Sequence, residues 1–274
     1  MLELLIASTL TGCATAIGAL PFLVVREVPR RTYDTLLGFG AGLMLAAATL
    51  GLLPAALREV RVDDVVHGGQ LILVIGGFLS GVVLLSLMDR LIPHLHAGGH
   101  HAHQEGVLDD AGHAHCHHPS VDDKARHQGI LVLGAMSLHR LPEGFAIGAG
   151  FAVGELRPLG IMLAIAIAVQ NAVEGAVMAA PLRRGGLSPG ALVALVAATG
   201  LAVPVAAIAG FFLSARIAGS LPFALALAAG ALIYLTANEI IPESHSHANE
   251  KQATFGLLAG FVLIILLKVL TGHE

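Results

Sequence analysis

Eight long apolar runs alternate with polar connections along the chain, near residues 3–25, 35–57, 69–89, 128–152, 158–180, 189–213, 221–241 and 253–271. Each is long enough to cross a hydrocarbon layer of ~30 Å as a helix. The runs are continuously apolar instead of alternating, and a segment in lipid must satisfy its own backbone, so the pattern predicts helices and not the strands of a barrel. The expected fold is an all-α membrane protein, an eight-transmembrane-helix bundle. Residues 1–91 would carry spans one to three, 92–127 a polar loop, and 128–274 spans four to eight. The first run follows Met1-Leu2-Glu3. It has no basic n-region and exceeds an ordinary signal h-region, so it is expected to stay in the mature protein.

Composition supports the same class. Hydrophobic residues make up 55% of the chain and charged residues 12%, with mean hydropathy +0.80, too little polar surface for a water-soluble globule of this length. The lipid bilayer is the expected solvent. A net charge of -4 and the scatter of Lys and Arg at segment ends point away from a nucleic-acid partner. Cys13 lies in the first apolar run and Cys116 in a polar loop, so no structural disulfide is expected.

Basic residues in the short connections set the orientation. One side collects nine, among them Arg26, Arg30, Arg31, Arg90, Lys124 and Arg183; the other has five, Arg58, Arg61, Arg157, Arg216 and Lys268. The richer side is expected to face the cytoplasm of a cell (inner) membrane. Both termini then lie outside, and the loop over 92–127 is cytoplasmic. That loop holds ten histidines, from His94 to His127, with Cys116. Such a segment cannot build a core; its composition suits disorder and loose binding of borderline divalent metals through imidazole and thiolate. The plainer reading is a solvated linker.

The chemistry inside the spans is more specific. His139-Arg140-Leu141-Pro142-Glu143-Gly144 and Gln170-Asn171-Ala172-Val173-Glu174-Gly175 sit in the middle of the fourth and fifth runs. Ionisable groups at that depth cost at least ~2.5–3.5 kcal/mol each, so they mark an ion path or pair with one another. Positions i and i+4 share a helix face, which puts His139 with Glu143 and Gln170 with Glu174. If those faces meet, an imidazole, two carboxylates and an amide oxygen surround one divalent ion. The set suits Zn2+ and tolerates Cd2+, Fe2+ or Mn2+. A lone intramembrane His or Gln often does no more than hydrogen-bond a neighbouring helix; two matched pairs argue for a shared purpose. Pro142 removes an amide proton beside the site and is expected to kink the helix.

These motifs resemble those of the ZIP (Zrt-, Irt-like) metal transporters, whose fourth span carries H-N-x-P-E-G. The resemblance extends to eight spans, the His-rich loop after the third, the run Asp34-Thr35-Leu36-Leu37-Gly38-Phe39-Gly40-Ala41-Gly42 in the second, and Asn238-Glu239-Ile240-Ile241-Pro242-Glu243 in the seventh. It is strongest to the bacterial branch. The resemblance implies uptake of divalent metal into the cytoplasm through two adjacent metal sites. Carried over by residue, the first site maps onto His139, Glu143, Gln170 and Glu174. The second does not survive: Arg140 stands where the family usually has Asn, Asn171 where bacterial relatives have Asp, and Val203 where a Glu precedes the sixth-span Pro. Val173 also replaces a common Pro.

Arg140 lies on the order of 15 Å from either interface by helix rise, too far to snorkel. Its guanidinium is expected to face the bundle interior, pair with Glu143 or Glu174, and fill the place of the second metal. Asp34, Asn238, Glu239, Glu243, His245 and His247 form the expected release route, and Met44 is a candidate lining residue, although Met is more often a core filler. No phosphate loop or ATP-binding unit is present, so transport would follow an electrochemical gradient. Spans one, four, five and six are expected to pack around the metal against a second group and move relative to it; a homodimer is left open. Two alternatives come from other classes. A non-transporting metal receptor would bind metal without flux. An intramembrane metallohydrolase would need a second His, and there is no H-E-x-x-H run.

Overall fold

With no water to receive backbone hydrogen bonds, runs of this composition close their bonds internally as helix. The computed structural model describes residues 1–25, 28–62, 65–66, 68–91, 121–184, 186–217, 219–246 and 248–271. It has α1 (Leu2–Ala19), α2 (Arg30–Ala46), α3 (Leu53–Arg58), α4 (Gly68–Leu91), α5 (Val121–Gly150), α6 (Arg157–Arg184), α7 (Pro189–Thr199), α8 (Ala202–Arg216), α9 (Leu221–Leu235), α10 (Ile241–Ser244) and α11 (Glu250–Leu270). Among the described residues, seven helical segments are long and apolar enough to cross a membrane. The fourth expected span lies in α5, a 30-residue helix that begins at Val121, inside the stretch expected to be loop. Most of that loop, including the histidines from His94 to His118, falls outside the described residues.

The first expected span ends in a 3-10 turn over Leu20–Leu23, and three others are interrupted further inside, each close to a proline. The second is α2, a π-helical stretch over Ala47–Leu52, and α3; the seventh is α9, a π-helical stretch over Thr236–Ile240, and α10. Both π stretches end two residues before a proline, Pro54 and Pro242. A proline lacks the N–H for the carbonyl four residues back and its ring crowds that carbonyl, so a wider turn relieves the conflict. The carbonyl orphaned by Pro54 is Leu50's, and it accepts a hydrogen bond from Lys268 Nζ of α11 at 3.2 Å. The expected sixth span over 189–213 is two helices, α7 and α8, joined by a turn at Gly200-Leu201. There Pro204 cannot bond the Gly200 carbonyl, which instead accepts from Val203 N–H at 3.2 Å. Between α3 and α4 a two-residue hairpin pairs Arg61 with Val66 and Val62 with Val65.

The helices form two groups. α1, α5, α6, α7 and α8 pack together; α2, α4, α9 and α11 form the other, and α5 with α9 and α2 with α6 make the seam. Without a hydrophobic driving force between helices in lipid, close backbone approach through small residues supplies the attraction. Glycines four apart provide it. Gly144 and Gly148 of α5 lie against the Val203 and Ala207 carbonyls of α8, and Gly256 and Gly260 of α11 against those of Thr35 and Phe39 in α2. A Cβ at Gly144 would strike the Val203 carbonyl oxygen, whereas one at Gly76 of α4 meets nothing within 4 Å. Gly144→Ala is therefore expected to lose ~1–3 kcal/mol through overpacking, and Gly76→Ala to be tolerated. Thermal unfolding of the two variants in detergent tests the contrast; equal unfolding temperatures would contradict it.

Candidate metal site

α5 and α6, packed together with α1 in the first group, bring their polar residues to one place. Arg140, Glu143, Gln170, Asn171 and Glu174 are all buried, and among the described residues Arg140 is the largest side chain that is wholly enclosed. Such a cluster survives in an apolar surround only if its members satisfy one another. They largely do. The Gln170 amide Nε2 donates to Glu143 Oε1 at 2.9 Å and to Glu174 Oε1 at 3.0 Å, so one side chain ties both carboxylates. Arg140 Nη1 donates to Thr15 Oγ1 of α1 at 2.8 Å. Its Nη2 lies 3.2 Å from Glu174 Oε2, a charge contact that lacks hydrogen-bond alignment, since no hydrogen bond reaches that nitrogen.

The guanidinium therefore faces the bundle interior and pairs with Glu174, not with solvent or lipid. Asn171 turns away from the carboxylates: its Nδ2 donates to the Thr11 carbonyl at 3.0 Å. Val203 is buried in α8 with its carbonyl against Gly144. One carboxylate oxygen, Glu143 Oε2, is buried with no hydrogen-bond partner.

His139, one turn from Glu143, looks across the seam. Its Nε2 lies 3.4 Å from Glu239 Oε1, on the π-helical stretch of the seventh span. The four expected ligands are thus divided in this arrangement: Glu143, Gln170 and Glu174 share one hydrogen-bonded cluster, and His139 is held by Glu239. Among the described residues, no three His, Cys, Asp or Glu side chains are gathered to hold a metal ion.

The remaining expected path residues lie on the second and seventh spans and just beyond the seventh. Asp34 is buried at the start of α2 and accepts from Asn249 Nδ2 at 2.9 Å. Met44 is buried, with its sulfur 3.4 Å from the Thr236 hydroxyl at the head of the π stretch. Asn238 and Glu243 are exposed. His245 is held by Ser244 Oγ at 2.9 Å and Thr254 Oγ1 at 3.1 Å; His247 lies outside the described residues. Sequence reasoning missed Thr11 and Thr15. The signal was present, because Ser8, Thr11 and Thr15 recur at helical spacing as a polar stripe in an otherwise apolar first span, and all three are buried.

The sequence matches the family described as ZIP Zinc transporter over residues 2–268. It is 35% identical over 269 residues to the zinc transporter GufA of Myxococcus xanthus, covering 98% of each chain. It is 37% identical over 260 residues to the zinc transporter ZIPB of Bordetella bronchiseptica, covering 94% of this chain and 78% of that one. The zinc transporter ZupT of Chlorobaculum parvum is 30% identical over 260 residues, with 93% and 92% covered.

Proposed function

This chain belongs to the ZIP zinc-transporter family, and from that premise we propose that it carries Zn2+ into the cytoplasm through one intramembrane site. The ligands of that site are His139, Glu143, Gln170 and Glu174, and Arg140 stands in place of a second metal. The observation that carries the one-site reading is the wholly buried guanidinium beside Glu174. With both carboxylates ionised, the guanidinium leaves a net charge of about −1; one divalent ion takes the cluster to about +1, and a second would take it to about +3. A second dication about 5 Å from a fixed positive charge would meet a repulsion of roughly 7 kcal/mol at an effective dielectric of 20. One site with a weakened hold on its ion favours release.

Chemistry of the donor set favours Zn2+, with Cd2+, Fe2+ and Mn2+ as tolerated ions. The pair His139–Glu239 joins the two helix groups, so a metal that takes His139 from Glu239 loosens their seam and frees Glu239 as the next acceptor towards Asn238, Glu243, Asp34 and His245. Movement of one group against the other then exposes the site to each side in turn. The excess of basic residues on one side of the spans supports an orientation in the inner membrane with both termini outside and the His-rich loop in the cytoplasm.

Proteoliposomes loaded with a metal-sensitive dye test the proposal. Inward Zn2+ or Cd2+ flux above that of empty liposomes is the expected result, and flux equal to empty liposomes would sink it. Arg140 also favours a second reading, a receptor in which the fixed cation blocks passage; metal binding without flux would support that one. Deleting residues 97–120 is expected to leave substantial flux, because every proposed ligand of the path lies outside that stretch. Complete loss of flux in a folded deletion variant would contradict this.

A further inference from the structure

Gln170 faces its neighbours with the wrong end for a metal ligand. Carboxylate oxygens accept hydrogen bonds, so an amide in reach of two of them, at 2.9 Å and 3.0 Å, presents its NH2 group; its oxygen there would meet lone pairs on both sides. A metal needs the opposite, since the amide nitrogen carries no usable lone pair and only Oε1 coordinates a cation. The same side chain cannot bridge Glu143 and Glu174 through nitrogen and hold an ion between them through oxygen in one orientation.

We infer that Gln170 is a rotating latch: its amide NH2 ties Glu143 to Glu174 until a divalent ion arrives, and the amide then turns to present Oε1 to the ion. This rests on the single-site reading above and adds to it the order of events. Glu143 Oε2, buried and without a hydrogen-bond partner, is the one carboxylate oxygen of the cluster open to the ion, because Glu143 Oε1 and Glu174 Oε1 are taken by Gln170 and Glu174 Oε2 lies beside Arg140. The ion meets Glu143 first. Its charge then makes the two N–H donors unfavourable neighbours, the two hydrogen bonds break, and the amide turns. When the ion leaves, the NH2 returns and keeps two like charges from facing each other in an apolar surround. Gln170 thus sets how readily the site empties as well as how it fills. A Glu at this position would coordinate but could not bridge, and its third negative charge would retain the ion.

The test is infrared difference spectroscopy on the full-length protein with 13C-labelled glutamine side chains, recorded before and after Zn2+ addition. The contribution of residue 170 is isolated by subtracting the Gln170→Met spectrum, or Gln170→Glu if the Met variant does not fold. A downshift of the labelled side-chain carbonyl stretch on Zn2+ addition, lost in the variant, is expected, together with a shift of the carboxylate bands. Carboxylate bands that move while the Gln170 carbonyl stays still would overturn the latch and leave the metal site standing. Neither band moving, with no Zn2+ bound in the membrane domain, would remove both the latch and the single-site reading. Gln170→Glu is expected to bind Zn2+ more tightly in titration calorimetry and to release it more slowly in flux measurements; unchanged release would also count against the latch.

Discussion

Glu143→Ala is expected to lower Zn2+ flux at least about tenfold while leaving the protein folded. The substitution removes a proposed metal ligand whose Oε2 makes no hydrogen bond, and loss of even an outer-sphere partner typically costs 10- to 100-fold in metal affinity or activity. The ion pair of Arg140 with Glu174 stays intact, so the buried guanidinium keeps its counter-charge. Glu174→Ala behaves differently. It strands Arg140, wholly enclosed and with Thr15 as its remaining hydrogen-bonded partner, and breaking a buried pair in this way costs about 3–5 kcal/mol. Loss of flux there would come with low yield and a depressed unfolding temperature, whereas Glu174→Gln keeps the shape and isolates the charge. His139→Ala is expected to match Glu143→Ala in flux. Flux and thermal unfolding measured on all four variants check the pattern. A Glu143→Ala protein that transports like the wild type would remove Glu143 from the site.

The triple change Arg140→Asn, Asn171→Asp and Val203→Glu is expected to raise metal stoichiometry in the membrane domain from one to two. It replaces a cation and two neutral side chains with oxygen ligands, at positions that α5, α6 and α8 hold in one packed group. The removed guanidinium vacates the space beside Glu174 Oε2. Asp at 171 must leave the Thr11 carbonyl, to which Asn171 donates now, because a carboxylate cannot donate to a carbonyl; that repulsion turns it towards the metal. Titration calorimetry on protein lacking the His-rich loop reads the number directly. An unchanged stoichiometry in a well-folded triple variant would trace the proposed single site to something other than these three residues.

Much of this molecule is legible in the order of its residues. Apolar runs of bilayer length can become only helices in lipid, because their backbones have no other partner; Arg140 at mid-span has to find an acid inside, because neither interface is within reach. Proline marks the interruptions without deciding them: Pro54, Pro204 and Pro242 each withhold a donor at a wider or broken turn, whereas Pro142 and Pro181 lie inside unbroken α-helix, α5 and α6. Which acid Arg140 would choose was not written there. Glu143 at i+3 and Glu174 on the partner helix were equally open by spacing, and the choice fell to Glu174 once Gly175 and Gly18 drew α6 against α1 and brought Thr15 to the guanidinium's other side. The i, i+4 spacing likewise put His139 and Glu143 on one face without saying what each would meet; packing of α5 against the seventh span turned His139 to Glu239. Local rules decide which runs become helix and which must hide a charge, since they depend on neighbours along the chain. Partners across helices depend on interaxial approach, which small residues on both sides of a contact set together, so only the assembled bundle decides them.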